Sequence, residues 1–231
     1  LAGAFSGFGL RGCGGVASIR FSVSLNLASS SLGSDMINPA FINFPEEASL
    51  LGAMVIGYGE LDLSFAHMAG LAIGQTYAVL DACHVIRSES GRLDIANALA
   101  VNSFRQMKLG EEYEYSHKAV RFCLKLRNQH AHSQWGEIEG RLMFSSAEGA
   151  FRQPLQPIRW NLITLDLLKK QEAYFEHTRK CLLTLITLLE ARGKTRFVPL
   201  LMPEEMHQPH MQSQMPKRTH ARKGPEPEPR P

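Results

Sequence analysis

The sequence predicts an all-α fold: an antiparallel bundle of about five helices, with a short extended excursion near 137–160 and disordered ends. Three observations carry this expectation. Apolar residues recur at helical spacing almost throughout 44–193. Glycines, prolines and polar breaks cut that stretch into pieces of helical length. Composition shifts abruptly on both sides of it, which divides the chain into 1–43, 44–193 and 194–231.

The first helix is expected to start at Pro45-Glu46-Glu47, because proline suits the first helical position and carboxylates favour the positive end of the macrodipole. Leu50, Met54, Leu61, Phe65 and Met68 then mark its apolar face, and Gly52, Gly57, Gly59 and Gly70 would permit close approach to a neighbour. A second helix is expected from Gln75 to Ile86, burying Leu80, Cys83 and Ile86. The run Arg87-Ser88-Glu89-Ser90-Gly91-Arg92 reads as a polar break, after which Leu93, Ala96, Leu99 and Ala100 open a third helix. Glu111, Glu112 and Glu114 open a fourth, which should stop at Trp135-Gly136. Pro154 and Pro157 prevent a continuous helix over 137–160, where Leu142-Met143-Phe144 can form a short strand or one arm of a hairpin. Asn161 is a fair N-cap for a last helix carrying Leu165, Leu168, Phe175, Leu182, Leu185 and Leu189 and ending at Gly193. Short connections among the first four helices favour antiparallel neighbours.

Residues 1–35 hold seven Gly, eight Ser and three charges (Arg11, Arg20, Asp35), without a period of either kind. The chain begins with Leu, and Met36 is as good a natural start as a processed or truncated terminus. No secretory signal pattern is visible. Eight of the twelve prolines lie between Pro199 and Pro231, so this tail cannot bury enough apolar surface to offset its ordering entropy. Its basic run Lys217-Arg218-Thr219-His220-Ala221-Arg222-Lys223 reads first as a solvated segment. The net charge of +3 is too mild to announce a polyanion binder. Cys13, Cys83, Cys123 and Cys181 have no metal-ligand spacing, and three of them sit in apolar helical runs, which fits a reducing, cytoplasmic setting. The most apolar window, Ala48 to Gly59, is too short to span a bilayer, so no membrane association is expected. His67, His84, His117 and His177 are isolated at helical positions; no metal site and no cofactor are expected.

Polar chemistry concentrates in Arg127-Asn128-Gln129-His130-Ala131-His132, at the end of a core-like run containing Ala119, Val120, Phe122, Cys123, Leu124 and Leu126. Arg127 continues the line of Val120 and Leu124 and should emerge on the packing side. A guanidinium there needs an acceptor or an anion. A structural role explains such residues as well: cations in a last turn favour its negative end, and His130 fits that account. Arg127 could also pair with Glu60, Asp94 or Glu172, of which Glu172 is favoured because it interrupts the last helix's apolar face. Glu60, Arg87 and Glu89 are possible wall residues that stay outside the candidate site.

Arg, then Asn, then three further positions and His, at the close of an amphipathic helix within a bundle, resembles the motif of the HEPN superfamily. The resemblance covers the bundle from Phe44 to Gly193, and its sequence-specific part is these six residues. It implies a metal-independent endoribonuclease, commonly dimeric, often of a toxin–antitoxin or other defence system, with an antitoxin protein as partner. In that chemistry His132 exchanges the proton of an attacking RNA 2′-hydroxyl, Arg127 stabilises phosphoryl charge, and Asn128 orients the phosphate or His132. One helix offers a single acid–base group, so a homodimer would complete the site. Two other readings stand beside it: a non-catalytic module binding RNA or a protein near Trp135, and a structural helical protein whose Arg127 forms a buried ion pair.

Overall fold

The computed structural model describes residues 38–146, 158–192 and 201–214. Five α-helices lie among them: α1 (Pro45–Ile73), α2 (Thr76–His84), α3 (Glu89–Gln106), α4 (Gly110–Ala131) and α5 (Leu165–Ala191). A small antiparallel sheet, β1 (Ser133–Ile138), β2 (Arg141–Ser146) and β3 (Asn161–Leu162), is inserted between α4 and α5 in the order β1-β2-β3. The fold is mostly helical, as the period requires.

Helix α1 is the centre and packs against each of the other four. Its buried line is Leu51, Met54, Tyr58, Leu61, Phe65 and Met68, alternating steps of three and four, the geometry of near-antiparallel helix packing. Leu50, expected in this line, is only half-buried. Helix α5 repeats the pattern with Leu168, Gln171, Phe175, Thr178, Leu182 and Leu185. Pro45 does occupy the start of α1, and Gly74, in the left-handed region at φ 69°, closes it.

Several boundaries move. The break expected at 87–92 falls at 85–88: Ser88 caps α3 by accepting from the Gly91 N–H, and the helix starts at Glu89. Helix α4 ends at Ala131 with His132 as its C-cap, so Trp135 and Gly136 belong to β1 and do not stop the helix. The hairpin therefore begins at 133, with Glu139 and Gly140 both at positive φ forming its two-residue loop. Asn161 lies in β3; Thr164 caps α5, its hydroxyl accepting from the Leu167 N–H. Gly193 falls outside the described residues.

The described residues flanking the bundle are ordered. Pro39–Ile42 form a 3-10 turn, with Asn38 as N-cap, buried Ala40, and Phe41 against Trp135. Residues 201–214, expected in the solvated tail, instead lie against α4, α5 and β3. Met202 and Met211 pack on the core, and side chains capture the main chain. Gln129 donates to the Met211 carbonyl at 2.8 Å, Gln171 to the His210 carbonyl at 2.7 Å, and the Met206 N–H donates to Tyr115 Oη at 2.8 Å. Capture of backbone groups lets a polar, proline-bearing segment dock without a broad apolar face. Residues 1–37 and 215–231 lie outside the described part. Among the described residues no helix is long and apolar enough to cross a membrane.

Candidate functional site

Helices α3 and α4 form a hairpin through the short connection 107–109, so the end of α4 returns to the start of α3. Their lengths of 18 and 22 residues correspond to about 27 and 33 Å, which lets the last turn of α4 reach the N-terminal cap of α3. A pocket of about 350 Å³ opens where they meet, with Asn128 and His132 on one wall and Arg87, Ser88, Glu89, Ser90 and Arg92 on the other. The hydroxyls and free N–H groups of a helix start add positive potential to this second wall.

Of the three sequence-predicted residues, Asn128 and His132 line the pocket, whereas Arg127 stands directly behind it. Its Nη1 donates to Glu89 Oε2 and to Asn128 Oδ1, each at 3.0 Å. Glu172 is therefore not its partner: Glu172 lines a separate pocket with Glu60, Glu176 and Arg179, on the α1–α5 side. Asp94 is taken by Arg121. The Arg127–Glu89 pair is about three-quarters buried, at 25% and 24% side-chain exposure, and Arg127 Nε has no acceptor among the described residues. Because Asn128 Oδ1 is occupied by Arg127, its amide nitrogen remains a donor toward the pocket's contents. His132 is exposed, and its own N–H donates to the Asn128 carbonyl at 3.1 Å.

His130 takes no part. Its place on α4 follows Cys123 and Leu126 at seven and four residues, and it is 4% exposed, with Nε2 3.0 Å from Gln171 Oε1. Burial pushes its pKa down to about 4, against an opposing pull from that bond. The apolar line of α4 thus runs through Cys123, Leu126 and His130. Ala131, four residues beyond Arg127, is exposed.

Arg87 and Glu89, possible wall residues from the sequence, do line the pocket, whereas Glu60 does not, and Ser88, Ser90 and Arg92 were not foreseen. Arg92 donates to Asp62 at 2.7 Å and to the Ile86 carbonyl at 3.0 Å, which fixes its guanidinium in the wall. Tyr58, 1% exposed, keeps its hydroxyl without an acceptor among the described residues, and burial, with Asp62 and Glu89 nearby, pushes its pKa up. The available signal was Ser88 three positions ahead of Gly91 with the Leu93-Ala96-Ala100 period extended backwards, which marks a capped helix start.

No protein family, curated protein or solved structure matches this chain. Three guanidinium groups (Arg87, Arg92, Arg127) against two carboxylates (Asp62, Glu89) leave one net cation around an open, hydroxyl-lined pocket with an exposed imidazole. Such a pocket suits an anion with a proton to exchange. Among the described residues no three His, Cys, Asp or Glu side chains gather as a metal site would require.

Proposed function

We propose that the chain is a HEPN-like, metal-independent endoribonuclease acting at Arg127, Asn128 and His132. The observation that supports this reading is the open pocket that unites Asn128 and His132 with the cationic start of α3. An RNA 2′-hydroxyl attacks the adjacent phosphorus, forming a new O–P bond while the bond to the 5′-oxygen breaks. His132 takes the hydroxyl proton or returns one to the leaving oxygen, and Arg127, released from Glu89, meets the phosphoryl charge. A homodimer would supply the second imidazole. A cytoplasmic toxin or defence protein held by an antitoxin belongs to the same reading, and three free, buried cysteines accord with that compartment.

RNA cleavage in the presence of chelator tests it. His132→Ala should lower the rate roughly 10²- to 10⁴-fold, and Arg127→Ala roughly 10²- to 10³-fold, with circular dichroism unchanged. Wild-type protein that leaves RNA intact, or variants that cleave as fast, sinks the proposal. The Arg127–Glu89 ion pair favours a second reading, binding without cleavage, because it already neutralises the guanidinium. Salt-sensitive RNA binding without products would establish that version.

A further inference from the structure

We propose that Trp135 and Trp160 form a stacking cleft for an unpaired nucleobase, next to the pocket of Asn128 and His132; the inference rests on the RNA reading above and adds the group that holds the base. The cleft has a volume of about 620 Å³ and runs along β1, an edge strand of the sheet. Gln134, Gly136, Asn38, Pro39, Ala40 and Glu137, whose carboxylate accepts from Asn43, complete its wall.

Both rings are held in place. Trp135 has Phe41, Phe144 and His130 at ring distances of 5.6, 5.5 and 5.9 Å, and its Nε1 donates to the His130 carbonyl at 3.3 Å. Trp160 approaches the bare backbone of Gly136, where a Cβ would meet its Cη2 at 3.1 Å and its Cζ3 at 3.2 Å. Glycine at 136 is what allows the indole to lie against the strand. Both tryptophans stay half-buried at the margin of an open cavity.

The neighbourhood selects the occupant. Gln134 is two residues beyond His132, so their Cα atoms are at most ~7 Å apart, and the walls of the two cavities come within two residues of each other at the start of β1. An indole face stacks on any base, and the exposed carboxamide of Gln134 can meet a base edge. Aromatic clefts also take proline-rich peptides. Such a peptide has no use for the nearby pocket of Arg87, Arg92, Asn128 and His132, whereas a nucleotide requires a ring face and a cationic neighbour at once.

The chain has two tryptophans and both line this cleft, so intrinsic tryptophan emission reports on it alone. The experiment titrates full-length His132→Ala protein with a labelled single-stranded RNA oligomer, an abasic oligomer of equal length and a proline-rich peptide, following emission and anisotropy. The RNA should quench emission saturably and the abasic strand should not. Trp160→Ala should weaken RNA binding roughly 5- to 150-fold, the range of one base–aromatic stack, and Trp160→Phe should recover most of it. Should Trp160→Ala unfold, quenching and Trp160→Phe decide. RNA binding with unchanged emission, and equal affinity in the Trp160 variants, overturns the cleft while leaving the pocket reading intact. Absence of any RNA binding removes both, and quenching by the peptide in place of RNA overturns the nucleobase assignment.

Discussion

His130 shows how one position can be read two ways. As a member of a polar hexapeptide it looks available for chemistry; as the residue seven beyond Cys123 it belongs to the core, and the core wins. Its folded pKa of about 4 lies below the ordinary histidine value, so the neutral form is the stabilised one. The stability it contributes is therefore complete above pH ~6.5 and is lost as pH falls toward 4, by roughly 3 kcal/mol at the low end. His117 and His177, also pushed down by burial, act in the same direction. The melting temperature should fall over that window, and His130→Gln should flatten the dependence; a flat wild-type profile from pH 7 to 4 would contradict the buried neutral imidazole. Arg127 was legible as a residue needing an acceptor, but its partner was not. Along the sequence Glu172 is the favoured partner, because it interrupts an apolar face, and only the α3–α4 hairpin brings Glu89 within 3.0 Å instead.

Among the elements, α1 separates two roles that glycine can play in one helix. An added Cβ at Gly70 would lie 2.6 Å from Thr76 Cα, so the turn into α2 requires a bare backbone there. Gly52 and Gly57 face open space, with nothing within 4 Å, contrary to the close approach their number suggested. Gly70→Ala should cost ~1–3 kcal/mol in urea unfolding, because backbone must move. Gly52→Ala or Gly57→Ala should add up to ~1 kcal/mol through helix propensity. Equal effects at all three sites would contradict this packing. Helix existence was readable from period alone, since every long apolar repeat in 44–193 became a helix. Helix ends were less so: Ser88 and Thr164 cap by hydrogen bonds that compete with Asn161 and the 87–92 run on composition alone.

Across the whole molecule, the segment 201–214 ties the motif to the body. Gln171, fully buried on α5, receives His130 at its oxygen and gives its nitrogen to the His210 carbonyl, while Gln129 holds Met211. One carboxamide thus joins α4, α5 and the returning chain. Gln171→Leu strands the buried His130 imidazole, releases the His210 carbonyl, and should destabilise by about 2 kcal/mol. Replacing 201–214 with Gly and Ser should lower the melting temperature and speed amide exchange in the last turn of α4. Unchanged melting in both variants would show that the segment is not held.

Composition and period by themselves determined the helical class, the place of the excursion, and the six-residue stretch where polar chemistry gathers, because burial imposes a repeat that any window of the chain displays. Pairings across the chain were decided by the tertiary structure: Glu89 with Arg127, the cap of α3 with the end of α4, Trp160 with Gly136, and Gln171 with both His130 and the 201–214 main chain. Those contacts join positions tens of residues apart, and their free energy depends on which surfaces meet, a quantity no local pattern encodes.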